Sequence, residues 1–210
     1  MSLLSRYDTG ALRVAPLAAR PGAQAASPAS LHALRHWCLA GLEPGSARRD
    51  RPRVPLALGL LPDAGPATAR CLEALSRELD GDRLLRALPG AAARWRLKLR
   101  VKAQDMAWWR ARRADDIWDC GYLADPPAVL AALTAFRPRR PTLMVADPMP
   151  RASLQARLAA LATAAPRFAH PVRVLAAAPA DSLADWLAAD WGGLQPHNAA
   201  CTPGTTPPTT

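Results

Sequence analysis

Residues 56–79 decide the fold, and they read LALGLLPDAGPATARCLEALSREL. A continuous apolar run is followed by a segment with a glycine and two prolines, and then by apolar residues that recur at helical spacing. Continuous apolar strands that alternate with amphipathic helices are typical of parallel sheets covered on both faces. We therefore expect a strand over Val54–Leu61, a loop that begins at Pro62 and a helix over Ala67–Leu79.

The same stretch has the layout of a phosphate-binding loop, which normally reads G-x-x-x-x-G-K-[ST] between a strand and a helix. The lysine of that motif contacts the β- and γ-phosphates, and its hydroxyl residue holds Mg²⁺. Gly65 is present here, but no lysine follows it in the loop. The sequence therefore predicts a phosphate-loop scaffold without ordinary ATP turnover.

The rest of the chain continues the alternation of strands and helices. The spacing predicts helices over Ser30–Leu42, Pro126–Phe136, Ser153–Ala165 and Ser182–Trp191, and strands over Ile117–Leu123, Thr142–Ala146 and Val172–Ala177. We expect an α/β fold with three layers, a P-loop NTPase-like arrangement whose mainly parallel central sheet is flanked by helices.

Composition sets the domain boundaries and the compartment. We expect a flexible segment over residues 1–29, one α/β domain over 30–191 with a basic insertion at 82–116, and a disordered Pro/Thr-rich tail over 192–210. The net charge is +10, carried mostly by arginine, and the four cysteines are widely spaced without a C-x-x-C pair. No apolar run approaches 18 residues, so no membrane span is expected, and a cytoplasmic protein is the simplest interpretation.

The insertion contains a strict alternation of basic and apolar residues, RWRLKLRVK over Arg94–Lys102. Read as a strand, it predicts a basic face for binding an anion, either nucleic acid or anionic lipid, formed by Arg94, Arg96, Lys98, Arg100 and Lys102. Arg110–Arg113 would extend this face, and Trp95, Trp108 or Trp109 would stack on bases. A solvated edge strand or a docking face for a partner protein is the alternative.

Other polar clusters have simpler interpretations. We expect Asp115, Asp116 and Asp119 to pair with the arginines at 110–113 rather than to form a metal site. His32 and His36 are expected on the surface, because the intervening residues lack the glutamate of H-E-x-x-H. Cys71 and Cys120 are expected in the core.

Several short motifs occur in a characteristic order. They are ALRHWC at 33–38, RCLEALSREL at 70–79, WDCGYL at 118–123, RPRRPTLMVAD at 137–147 and HPVRVL at 170–175. Together they resemble the nucleotide-binding domain of the bacterial signal-transducing P-loop ATPases, the STAND class related to AAA+ proteins. The resemblance implies a nucleotide site at Gly65, Thr68, Arg70 and Asp147, with Asp147 as the Mg²⁺ ligand.

The departures from this family fall where its chemistry should be. Thr68 or Ala67 stands at the position of the lysine, and Pro66 removes a backbone N–H from the loop. Pro148-Met149-Pro150 follows Asp147, and the strand beginning at Val172 continues into AAAP, where relatives carry an arginine. We expect no cofactor, with Mg²⁺-ATP as the alternative.

Three functional hypotheses follow from these residues. The first is a catalytically inactive P-loop-fold module that regulates or binds a protein partner. The second is a slow signalling ATPase in which Arg70 or Arg94 replaces the missing lysine. The third is a nucleic-acid-binding module that uses the basic strand at 94–113.

Overall fold

A computed structural model describes residues 12–13, 28–40, 54–63, 66–80, 88–106, 117–123, 129–138, 140–146 and 149–199. The strands are β1 (Leu12–Arg13), β2 (Leu56–Asp63), β3 (Asp119–Leu123), β4 (Thr142–Ala146), β5 (Val172–Pro179) and β6 (His197–Asn198). The helices are α1 (Pro28–Leu39), α2 (Pro66–Leu79), α3 (Ala91–Met106), α4 (Val129–Thr134), α5 (Arg151–Ala164) and α6 (Leu183–Leu187), with a 3₁₀ turn at Ala165–Arg167.

The strands form one sheet in the order β1-β3-β4-β5-β2-β6. Strands β3, β4, β5, β2 and β6 run parallel, and the short β1 pairs antiparallel with β3 at one edge. Helices α1 and α2 pack on one face of the sheet, and α4, α5 and α6 pack on the other. The predicted three-layer α/β architecture with a mainly parallel sheet is confirmed.

The central strands are buried because their side chains are apolar on both faces. Every residue of β3 and β4 is buried, as a parallel strand between two helical layers requires. Leu58 and Leu60 of β2 pack on the face covered by α4, α5 and α6, whereas Leu61 packs with α1 and α2. The ladder between β2 and β5 begins at Leu56, directly after Pro55, as expected for a residue that lacks a backbone donor.

Both terminal segments contribute more to the sheet than the sequence predicts. Leu12–Arg13 lies within segment 1–29, which was expected to be flexible, and pairs with β3. Helix α1 begins at Pro28, before the predicted start at Ser30, and it ends at Leu39, before the predicted end at Leu42.

The predicted disordered tail also begins with ordered structure. The N–H groups of Gly192 and Gly193, both at positive φ, donate to Oδ1 of Asp190 at 2.8 and 3.4 Å. Only a few residues separate this turn from β6, which pairs with the otherwise open side of β2. The short strand β6 forms in this segment because the backbone of β2 supplies a hydrogen-bond partner that local sequence cannot show.

Candidate functional site

A crevice is expected at the carboxyl ends of β2 and β5, which are neighbours in the sheet. The chain leaves β2 into α2 on one face, and it leaves β5 into α6 on the opposite face. In open α/β sheets, ligands bind outside the carboxyl ends of strands where the connections diverge in this way. This position, which we call the switch-point crevice, is bordered by residues 62–63, 66–68 and 178–182.

The connection from β2 to α2 is shorter than the sequence predicts. Strand β2 continues to Asp63, which pairs with Pro179, and α2 already begins at Pro66. The predicted start of the loop at Pro62 is therefore wrong, whereas the predicted start of the helix at Ala67 differs from the observed one by a single residue. Pro66 occupies the first helical position, where a missing N–H leaves no hydrogen bond unmade.

Thr68 is the best-defined predicted nucleotide residue in this crevice. It lies in the first turn of α2, is 8% exposed, and its Oγ1 donates a hydrogen bond to the Pro62 carbonyl at 2.9 Å. This bond links the start of α2 to the end of β2. The hydroxyl that would hold Mg²⁺ in an active P-loop is thus engaged in joining a strand to a helix.

Of the other predicted nucleotide residues, only Arg70 lies in the part of the chain that the structure describes. Arg70 lies half-buried in the second turn of α2. Gly65 and Asp147 lie outside the described residues. The last described residue of β4, Ala146, is level with Leu60 of β2 through their shared partner Ala176 of β5.

The charge of the switch-point crevice does not suit a nucleotide. Among the described residues that border it, Asp181 is an exposed carboxylate, and none is a lysine, arginine or histidine. No lysine or arginine occurs anywhere after Arg173. The described border therefore offers a triphosphate no cation to compensate its negative charge.

The predicted basic strand is a helix. Arg94–Lys102 lies within α3, so the five basic residues do not share one face. Three alanines precede this segment, and arginine, leucine and lysine are all good helix formers. The alternation would favour a strand only if a neighbouring strand paired with it, and the described sheet contains no such pairing. The helix propensity of these residues therefore decides the conformation.

No metal site appears among the described residues, where no group of three His, Cys, Asp or Glu side chains could hold an ion. Asp119 is buried beside Arg140, with Oδ1 3.6 Å from Nη1. The arginines at 110–113 that were predicted to pair with it, and Asp115 and Asp116, lie outside the described residues. His32 and His36 are exposed, and Cys71 and Cys120 are buried, as expected.

A buried arginine, Arg173, lies at the opposite end of the sheet and was not predicted from the sequence. Arg173 is 2% exposed within β5, and its guanidinium donates to the carbonyls of Val54 at 3.0 Å and Ala40 at 2.8 Å. Burial lowers the pKa of Arg173, and the nearby Cys38 thiolate would raise it. Burial raises the pKa of Cys38, and the positive charge of Arg173 partly offsets this rise, so that the pKa is about 12.

These contacts make Arg173 a structural clamp between α1, β2 and β5. The signal in the sequence is a single charged residue inside an apolar strand, VRVLAA. Such a residue must find buried hydrogen-bond partners, and the exposed end of a helix supplies unpaired carbonyls.

Comparisons with known proteins gave no match, whether to a protein-family model, a curated protein or a solved structure. Within the described residues, no helix is long and apolar enough to cross a membrane.

Proposed function

We propose that this chain is a P-loop NTPase-like domain that has lost its nucleotide chemistry and acts in the cytoplasm as a regulatory or protein-interaction module. The proposal is supported by a mainly parallel α/β sheet in which the end of β2 and the start of α2 lie at the divergence of the connections. The order of motifs that resembles STAND ATPases supports the family, and the missing lysine supports the loss of turnover.

The observation that carries the proposal is the hydrogen bond from Thr68 to the Pro62 carbonyl at 2.9 Å. A hydroxyl that is 8% exposed and directed at the backbone stabilises the junction of strand and helix. Preorganised charge at a phosphoryl transition state is usually the largest catalytic contribution, about 3–4 kcal/mol for one donor. The absence of a lysine from the loop after β2 supports the loss of this contribution.

The scaffold remains useful without catalysis because its stability depends on a different set of atoms. The apolar side chains of the five parallel strands form two buried clusters, one on each face of the sheet. Neither cluster depends on a bound nucleotide to be complete. A module of this kind can therefore present helices and loops to a partner without nucleotide turnover.

The experiment that tests the proposal measures ATP binding by calorimetry with and without Mg²⁺, followed by phosphate release. We expect no saturable binding at micromolar ATP and no turnover. Micromolar, Mg²⁺-dependent binding with turnover that Asp147→Asn abolishes would refute the proposal and favour a slow ATPase.

A restoration experiment asks whether the crevice descends from a phosphate loop. The double variant Pro66→Gly/Ala67→Lys restores the sequence G-K-T before the second turn of α2. We expect it to gain ATP affinity at least tenfold over the matched control Pro66→Gly/Ala67→Gln, because only the first adds a charge. Equal affinities of the two variants would contradict a phosphate-loop origin.

A further inference from the structure

Helix α3 exposes two large apolar side chains to solvent. Trp95 is 63% exposed and Leu99 is 45% exposed, and the two lie one turn apart on the same side of the helix. The exposed residues Ala92 and Ala103 extend the same side, and we call these four residues the outer stripe. The opposite side of α3 carries Leu97 and Val101, which pack near Ile117.

Basic side chains flank the outer stripe on both sides. At 3.6 residues per turn, each flank lies about a quarter turn from the stripe. One flank carries Arg94, Lys98 and Lys102, and the other carries Arg96 and Arg100. All except the half-buried Lys98 are exposed, and no acidic residue occurs in α3 before Asp105.

From this arrangement we propose that the outer stripe of α3 binds the surface of an anionic lipid bilayer. An interfacial helix places tryptophan and leucine at the boundary of headgroups and acyl chains, while lysine and arginine reach the lipid phosphates. The second apolar side, at Leu97 and Val101, holds the helix on its own domain. The bilayer then covers the apolar side that the domain leaves open.

The chemistry of the outer stripe favours lipid over nucleic acid. Base edges are recognised by hydrogen-bond donors and acceptors, and among the stripe side chains only the Trp95 indole can donate. Leu99 and the two alanines offer nothing to a base edge except contact with a methyl group. A bilayer supplies both an apolar interior for the stripe and negative charge for its flanks.

The test is co-sedimentation of the whole chain with vesicles of phosphatidylcholine, with and without phosphatidylglycerol. Each basic residue near an anionic surface strengthens binding about fivefold. The triple variant Arg96→Gln/Arg100→Gln/Lys102→Gln should therefore bind phosphatidylglycerol vesicles about 100-fold more weakly than the wild type.

A matched control removes the same charge elsewhere. The variant Arg35→Gln/Arg137→Gln/Arg167→Gln neutralises three exposed arginines outside α3. Its affinity should fall by less than tenfold, because charges remote from the bound face are screened at physiological salt. Equal losses in the two triple variants would overturn the proposal, since they would indicate attraction by net charge alone.

The apolar contribution has its own test. Trp95→Ala/Leu99→Ala keeps all five basic charges, and both substituted side chains are exposed, so the fold should be retained. We expect at least tenfold weaker vesicle binding and an unchanged denaturation midpoint. Unchanged vesicle binding would overturn the proposal, as would binding of α3 to an oligonucleotide or an acidic protein without binding to vesicles.

Discussion

Trp37 of α1 lies close to the sheet at Gly59, where a substitution tests the packing directly. In Gly59→Ala the added methyl carbon would lie 2.7 Å from Leu175 Cδ2 and 3.1 Å from Cη2 and Cζ2 of Trp37. Optimal carbon contacts are about 3.5–4.0 Å, so these neighbours must move by up to about 1 Å. Trp37 also stacks on His197 of β6 at a centroid distance of 6.2 Å, so the displacement reaches two elements.

The expected loss of stability follows from three contributions. Overpacking at two neighbours costs about 3 kcal/mol, the upper end of the usual range. Burial of a methyl group stabilises the folded state by about 0.8 kcal/mol, and replacing glycine in a strand stabilises it by about 0.7 kcal/mol. The free energy of unfolding of Gly59→Ala should therefore fall by about 1.5 kcal/mol.

Urea denaturation of a double-mutant cycle measures this effect. Leu175→Val removes the Cδ2 atom that approaches Gly59, so the double variant should recover about 1 kcal/mol relative to additivity. The urea m-value should not change, because the fold and its buried surface are retained. A Gly59→Ala protein as stable as the wild type, or a cycle without coupling, would refute the packing described here.

Three further substitutions test the clamp and the crevice. Arg173→Met keeps the volume but leaves two carbonyls without their donor, so denaturation should show a loss of about 3 kcal/mol, and a loss below 1 kcal/mol would contradict the clamp. Burial raises the pKa of the Cys38 thiol from 9.0 to about 12, so the unfolded chain loses this proton first and stability relative to Cys38→Ala should decrease as pH rises from 9.0 toward 12. If the stabilities of these two proteins change with pH in parallel, burial does not shift the pKa of this thiol. Thr68→Val should lower the free energy of unfolding by about 1 kcal/mol, because the hydrogen bond to the Pro62 carbonyl is lost, and an unchanged free energy of unfolding would contradict a structural role for this hydroxyl.

The regular part of the fold could be predicted because its signals are local. Strand β4 has the predicted bounds, Thr142–Ala146, since a threonine and four apolar residues follow a proline that cannot donate to a ladder. Helix α2 was predicted to within one residue from apolar side chains at helical spacing. Parallel pairing followed from the helices between the strands.

The error at α3 has a physical cause in the sequence itself. A period of two in Arg94–Lys102 indicates a strand only if a neighbouring strand can pair with it, and none in the described sheet does. The helix propensities of the alanines, leucines and basic residues then decide the conformation. As a result, the basic residues lie on two flanks of a helix rather than on one face of a strand.

The sequence by itself determined the α/β class, the elements of the central sheet and the absence of a lysine from the loop after β2, because each depends on residues close together in the chain. Only the tertiary structure decided the strand order, the pairing of β6 with β2 and the contacts of Arg173, since these join residues far apart in sequence. The tertiary structure also decided that the Thr68 hydroxyl donates to the Pro62 carbonyl, because this contact depends on where β2 ends and α2 begins. Short-range periodicity reports which faces are apolar, whereas hydrogen-bond partners are set by which elements the folded chain brings together.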